Sequence, residues 1–555
     1  MWLNNLNELC IYRSRYVNIL TRNTTENLSE LYEVNETKFA LNHTDCQIFL
    51  KKKSHDIEVL KVQGDMKDDN LQAEYFKFKV KPFRNLSKLI FYQMVVTNEN
   101  LLVLSKNCLQ LNSLHLLKCF CEHFETLAPG ININIDSICK IKQLQELKFE
   151  PETKPGTIKP LKVQHVKYLL NNVVNLTSLS FKNFTIVCEE EDKTTRTYIP
   201  DIVWQLQVLN IGILNYDFWC TFTGYLKCCP QLRKLIIHVN DSNLLLNVKL
   251  IDILSRCCRY LETLCLEGCQ LDIKDFLPLQ GLQEISLISC SGLTFENLQQ
   301  FLGGLKLKKF KLINSPVNKT YNYIYIAPSL ESITIDTPQF TAISEIFQNS
   351  LNHFNALHTL NWLNGDITHN WIRDKCPQLK QLQLTNPYIL PRIVLSMANL
   401  KELTFTTGHG LNWTLLKMLI RDMSLKRLNI AVNDVLIDNN RISQKCFRVA
   451  TTLEFIKLPF GIFVMGLTHW LDVLDVNEQL GFLVYGTAGD ILNFRLLCIL
   501  LSADCLRNRS NRIKICGFKM ELKDFEQKTI FREIVRLHIN TNHYRTRKMP
   551  FTLEF

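Results

Sequence analysis

The stretch Leu261-Glu262-Thr263-Leu264-Cys265-Leu266-Glu267-Gly268-Cys269 carries the pattern that decides the fold. Its spacing is apolar, two variable residues, apolar, one variable residue, apolar. Side chains alternate between two faces along an extended strand, so Leu264 and Leu266 point one way while Thr263 and Cys265 point the other. Clear copies begin at Leu111, Leu144, Leu176, Leu232, Leu282, Leu330, Leu379, Leu400 and Leu425, and weaker ones at Ile57, Leu86, Leu206, Leu307, Leu357, Leu453 and Leu480. These seventeen starts span 423 residues (480 − 57), or about 26 per interval over sixteen intervals, inside the range of roughly 20–29 known for leucine-rich repeats.

One short strand cannot bury its apolar face alone. Stacked copies do so by forming a parallel sheet with a continuous core behind it. Segments between copies have helical spacing and helical ends. Glu296 to Leu302 stops at Gly303-Gly304, and Ser242 to Cys258 and Leu411 to Met423 have the same character. The expected fold is therefore α/β: a leucine-rich-repeat solenoid (horseshoe) with a parallel β-sheet on the concave face and helices on the convex face. Expected boundaries are an N-terminal cap over 1–50, about 17 repeats over 51–489, and a C-terminal cap over 490–555, because terminal repeats must cover an exposed core edge.

Composition agrees. Leucine supplies 88 of 555 residues, while glycine at 19 and proline at 16 exclude a collagen-like or linker-rich chain. Net charge is +11 from 64 basic and 53 acidic residues, too mild over this length to demand nucleic acid as partner. The start Met1-Trp2-Leu3-Asn4-Asn5 lacks the basic and apolar regions of a secretory signal. The most apolar window, Leu458 to Leu474, is interrupted by His469 and Asp472 and reads as a buried helix. Twenty cysteines without a signal are expected to be reduced thiols of a cytoplasmic and/or nuclear protein, where sequons such as Asn175-Leu176-Thr177 stay unmodified.

The cysteines follow the repeat. Cys108, Cys229, Cys258 and Cys376 lie three residues before the first leucine of a copy, and Cys119, Cys269 and Cys290 eight residues after it. Asn240 and Asn433 take the second slot in two further copies, as small donors at a buried turn. With Cys229-Pro230-Gln231-Leu232 and Cys376-Pro377-Gln378-Leu379, the chain resembles the cysteine-containing repeats of F-box/leucine-rich-repeat proteins over roughly residues 50–490. That resemblance implies repeats that hold a protein substrate for a cullin (SCF-type) ubiquitin ligase, whose Skp-type adaptor binds an F-box. Residues 1–50 show neither the Leu-Pro start nor the three-helix run of an F-box.

Other constellations read as packing or surface. Cys119-x-Cys121-x-His123, with His115 upstream, has zinc-ligand residue types, but its one-residue spacings are too tight for a structural zinc site. The pairs Cys228-Cys229 and Cys257-Cys258 end helices, with one cysteine of each facing the core and nothing nearby to lower a thiol pKa. No phosphate loop, dinucleotide fingerprint, His-Glu-x-x-His or Gly-x-Ser-x-Gly occurs. Neither catalytic residues, nor a metal, nor a cofactor is expected. The loops Glu150 to Gly156 and Glu189 to Lys193 read as rim insertions. The clusters Lys51-Lys52-Lys53, Arg507 to Lys514 and Arg545 to Lys548 read as solvated surface, with phosphate binding or nuclear addressing as the alternative.

The strand register also marks the face left open. The residues on either side of each copy's middle apolar residue project from it. They include eight basic residues (Lys61, Lys88, Lys148, Lys234, Lys309, Lys311, Arg427 and Lys457) and three acidic ones (Glu146, Glu284 and Glu402), with Ser, Thr, Asn and Gln between. The expected partner-binding residues are Lys234, Lys309, Lys311, Asn361, Gln381, Gln383, Arg427 and Lys457, and the expected partner is a moderately acidic protein segment. The function expected is non-catalytic protein binding in substrate recognition. A scaffold or inhibitor unconnected to ubiquitin, and a regulator of an enzyme such as a GTPase, are the alternatives. No membrane or nucleic-acid partner is expected.

Overall fold

Every one of the seventeen copies forms a strand in the computed structural model of the chain. The structure describes residues 8–13, 17–21, 37–41, 58–63, 85–92, 98–117, 131–150, 161–182, 203–213, 224–239, 245–272, 276–317, 325–336, 353–363, 371–384, 397–405, 424–430, 452–459 and 480–485. It adds short pieces at 186–187, 347–348, 491–493, 513–516, 519–521 and 551–554, and single residues between them. The chain divides into two compact units, Met1–Leu293 and Thr294–Phe555.

In the first unit the strands Val59–Gln63, Lys88–Tyr92, Ser113–Leu117, Glu146–Glu150, Ser178–Phe181, Val208–Ile213, Lys234–Val239, Thr263–Glu267 and Glu284–Ile288 pair in parallel in that order. The second unit repeats this with Lys309–Ile313, Ser332–Asp336, Thr359–Leu363, Gln381–Leu384, Glu402–Phe405, Arg427–Ile430, Phe455–Pro459 and Gly481–Tyr485. Because the register never slips within a unit, equivalent leucines align in rows. Leu235, Leu264 and Ile285 stand opposite one another, as do Ile333, Leu360 and Leu382, and all are buried. Each such side chain contributes about 1.5–3 kcal/mol of burial, which one isolated strand lacks a surface to obtain.

Backbone bonding closes each repeat onto the next. The carbonyl before a strand accepts two N–H groups from the following repeat: Glu262 O from Gln283 and Glu284 at 2.8 and 2.9 Å, and Lys308 O from Glu331 and Ser332 at 2.8 and 3.0 Å. Between strands lie helices such as Asn98–Asn107, Ile131–Cys139, Val163–Asn172 and Val248–Cys257. The expected Ser242–Cys258 helix begins only at Val248, since Leu245–Asn247 instead pairs in parallel with Gln270–Asp272. The helix Phe295–Gln299 is capped by Thr294, whose hydroxyl accepts from Asn297 N while Asn297 Oδ1 accepts from Thr294 N. It continues as a π-turn over Gln300–Gly304, where a Cβ on Gly303 would lie 2.3 Å from Tyr325 O. Only glycine fits there. Of the expected 411–423 helix, three helical residues are described, all buried: Leu416, Leu419 and Ile420.

The structure corrects one register. The copy read from Leu480 places Leu483 and Tyr485 inward, but Phe482 pairs with Ile456 and Val484 with Leu458. Val484 therefore holds an inward position, and Leu483, itself buried, falls in the row of Lys457. A one-residue slip exchanges the two faces of a strand, and here both frames contain apolar residues.

Strands also occur in the segments expected to be caps. Glu8–Arg13 adds in parallel to Val59–Gln63 and antiparallel to Val17–Thr21, which pairs with Thr37–Leu41. Ile513–Cys516 and Phe551–Glu554 extend the second ladder beyond Gly481–Tyr485. Among the described residues no helix is long and apolar enough to cross a membrane.

Candidate functional site

The ladder face away from the packed leucines is the surface the fold does not consume. In the second unit it consists of two neighbouring rows. One runs Lys309, Ser332, Thr359, Gln381, Glu402, Arg427, Phe455, and the other Lys311, Thr334, Asn361, Gln383, Thr404, Asn429, Lys457. Lys309 is exposed and the others are half-buried, while the residues between them along each strand are buried.

Short polar links tie the first row across strands. Thr359 Oγ1 donates to Gln381 Oε1 at 2.9 Å, Gln381 Nε2 donates to Glu402 Oε2 at 3.1 Å, and Arg427 Nε lies 3.8 Å from Glu402 Oε1. In the second row Asn361 Nδ2 donates to Thr334 Oγ1 at 3.1 Å. Seven of the eight expected site residues thus share one face of one unit. Lys234, the eighth, is exposed on the first unit between Val208 and Thr263.

The first unit's open face is organised differently. Ser113 and His115 are both buried, although their strand positions belong to the open rows. Ser113 Oγ donates to Glu146 Oε2 at 2.6 Å, His115 Nε2 lies 3.0 Å from the same oxygen, and Lys148 Nζ lies 2.8 Å from Glu146 Oε1. The hydrogen bond from His115 is the largest cause holding the Glu146 carboxyl well below the usual carboxylate range, whereas burial holds His115 below the ordinary imidazole value. A serine, a histidine and a glutamate are the residue types of a hydrolytic triad. Ser113 Oγ and His115 Nε2 also lie 3.2 Å apart, but that same nitrogen faces Glu146 Oε2, so the imidazole does not link hydroxyl and carboxylate through its two different nitrogens as a triad histidine does. His238 Nδ1 and Glu267 Oε2, 2.5 Å apart, form a second such pair, and burial also lowers His238.

The cysteine slots pack as their spacing implies. Cys108, Cys229, Cys258 and Cys376 are buried, and their carbonyls accept the N–H of the leucine three residues on at 3.0–3.2 Å. Cys258 Sγ donates to Leu226 O at 3.7 Å and Cys290 Sγ to Leu266 O at 3.2 Å, each linking one repeat to its predecessor. Burial pushes the Cys108 and Cys258 thiols up to about 12, the opposite of what a reactive thiolate needs. Cys228, Cys229 and Cys258 are buried and Cys257 partly so, as packing residues of their helix ends.

Among the described residues no group of three or more His, Cys, Asp or Glu side chains is placed to hold a metal ion. Cys119, Cys121, His123, Asn240 and Asn433 lie outside the described residues, as do Lys51 to Lys53, Glu189 to Lys193 and Arg545 to Lys548. Residues 151–156 of the first loop and 507–512 of the second basic cluster do too.

Two cations were missed by attending only to the residues flanking each middle leucine. Lys306 and Lys308 are exposed just before the Lys309 strand. The run Lys306-Leu307-Lys308-Lys309-Phe310-Lys311 was the available signal.

No protein-family profile matches the chain, and no curated protein matches it either. Among solved structures it is similar to TLR13 in a TLR13–ssRNA13 complex, at 14% identity and a TM-score of 0.36, over 90% of this chain and 71% of that one. It is also similar to a leucine-rich repeat protein from Bacteroides ovatus, at 11% identity and a TM-score of 0.15, over 72% of this chain and 98% of that one. These overlaps carry no argument about the chain, whose leucine-rich-repeat fold is read from its own leucine rows and parallel register.

Proposed function

We propose that the chain is a non-catalytic binding module whose partner is a protein docked on the open rows of the second unit. The supporting observation is the run Thr334, Asn361, Gln383, Thr404 and Asn429, five successive strands presenting hydroxyls and amides where the fold needs only backbone pairing. Such groups lie within reach of a protein segment crossing the strands, and the alternating buried leucines hold them on rigid elements. The thiols used as packing residues suit a reducing cytoplasmic or nuclear setting.

Within this reading the partner is a substrate presented to a cullin ubiquitin ligase, a finer statement supported by the repeat resemblance alone. The test is affinity capture with the full chain and with an Asn361→Arg/Gln383→Arg variant. A protein retained by the natural chain and lost with the variant supports the face. Co-purification of a Skp-type adaptor and a cullin supports the ligase. A stable partner without them favours the scaffold reading, and capture indifferent to the variant contradicts the site.

A further inference from the structure

We infer that the lysine corner formed by Lys306, Lys308, Lys309 and Lys311 is an anchoring site for an acidic, extended protein segment; this rests on the reading of the second unit's open rows as a docking face. Lys306, Lys308 and Lys309 are exposed and Lys311 is half-buried. None of the four has an ion pair within 4.0 Å or a side-chain hydrogen bond among the described residues.

Farther along the ladder some charges are paired, while Lys380 and Lys401 have no ion pair among the described residues. Glu402 is engaged by Gln381 and Arg427, and Lys426 Nζ pairs with Glu454 Oε1 at 2.6 Å. Glu331 stands one strand over from Lys308 and is exposed without pairing to it. Among the described residues of the second unit, Glu331 is the carboxylate just before the adjacent strand and it pairs with none of these four cations, so the corner offers a positive field that an incoming carboxylate cluster neutralises.

The neighbouring strands set the chemistry required of the segment beyond its anchor. Moving along the rows from Lys309 and Lys311, a segment meets Ser332 and Thr334, then Thr359 and Asn361, then Gln381 and Gln383. Strands are about 4.8 Å apart, so these three steps cover about 14 Å, the reach of roughly four extended residues. The matching segment therefore has two or more carboxylates followed by about four residues able to hydrogen-bond. Between Lys309 and Arg427 the two rows contain no aromatic side chain. Single-stranded nucleic acid is held by stacking as well as by charge, and the stretch of described residues from Lys309 to Arg427 offers no stacking platform, the next residue of the row, Phe455, lying beyond Arg427.

The test is fluorescence anisotropy of the full chain with a fluorescein-labelled peptide of glutamates followed by alternating serines and asparagines. A neutral peptide with glutamine for glutamate and a labelled oligouridine serve as comparisons. Saturable binding of the acidic peptide is expected, weakening from about 50 to about 200 mM salt as exposed charges are screened. It is expected to fall at least about tenfold in Lys309→Glu/Lys311→Glu and in Lys306→Glu/Lys308→Glu, with unchanged melting. Lys140→Glu, an equal charge change at an exposed site of the first unit, is expected to bind like the natural chain. Absence of peptide binding, equal affinity in the lysine variants, or tighter lysine-dependent binding of oligouridine overturns the inference. A captured protein lost with Asn361→Arg/Gln383→Arg but retained by both lysine variants overturns the acidic anchor and leaves the docking face standing.

Discussion

At the middle open position of successive strands the first unit carries Ile90, His115, Lys148, Ser180, Asn210, Ile236, Cys265 and Ser286, while the second carries Lys311, Thr334, Asn361, Gln383, Thr404 and Asn429. The inward rows of the two units are interchangeable in kind. Their open rows are not. Aliphatic side chains, buried serines and a knot of Ser113, His115, Glu146 and Lys148 occupy the first, whereas the second is polar at each of these positions and begins at Lys309 and Lys311, which have no ion pair among the described residues. The repeat thus constrains one face strictly and leaves the other to chemistry.

Buried charge tests the shared half of that comparison and carries the largest effect. Leu264→Asp and Leu382→Asp, in the first and second unit, each bury an unpaired carboxylate and are expected to cost about 3–5 kcal/mol or to unfold the local stack, read as a large fall in melting temperature. A milder outcome in one unit would break the equivalence of the inward rows.

Next in size is a backbone substitution. Gly268 has φ +70° and a Cβ there would lie 2.3 Å from Val239 O, so Gly268→Ala is expected to cost about 1–3 kcal/mol by thermal melting.

Acid sharpens the contrast. His115 and His238 have folded pKa values below the ordinary imidazole value, so the unfolded chain takes up their protons first and the first unit loses stability as pH falls below about 6.5. Glu146, held low by its hydrogen bonds, contributes stability above the ordinary carboxylate value of about 4.3 and loses it as pH falls further toward its folded value. Hydrogen exchange between pH 7 and pH 5 is expected to show amide protection at Ser113–Leu117 falling relative to Thr359–Leu363, whose strand uses neutral threonine and asparagine links, after correction for intrinsic rates. The smallest expected change is Gln381→Ala, which removes two half-buried links and costs about 0.5–1.5 kcal/mol by denaturant titration.

The sequence made the ladder legible because each strand advertises two inward apolar residues at a spacing of two and a third apolar residue at the turn before them. All seventeen starts lead into strands, and the open residues alternate with buried ones on strands such as Lys88–Tyr92, Lys309–Ile313 and Phe455–Pro459, whereas Ser113, His115, Ser180 and Ser286 are buried at open positions. The pattern was also present, unread, at Leu6-x-x-Leu9-x-Ile11, whose Leu9 stands opposite Leu60. It was absent from the strands Ile513–Cys516 and Phe551–Glu554, where Ser510 and Lys548 take the place of the first leucine.

The candidate site was legible as a set of positions and illegible as a set of contacts. That Glu402 is engaged by Gln381 and Arg427 depends on which repeats are neighbours and on rotamers. That Lys309 and Lys311 remain unpaired depends on where the carboxylates of adjacent strands reach. Repeat spacing encodes neither.

The most direct measurement of the two-faced strand uses three adjacent residues. Phe310 is 1% exposed while Lys309 and Lys311 beside it face the open side. Thermal melting of Lys309→Glu, Phe310→Glu and Lys311→Glu is expected to leave the two lysine variants within about 0.5 kcal/mol of the natural chain and to show Phe310→Glu unfolded or several kcal/mol less stable. Three variants of equal stability, or a lysine variant that unfolds while Phe310→Glu does not, would contradict the alternation on which the buried core and the open face both depend.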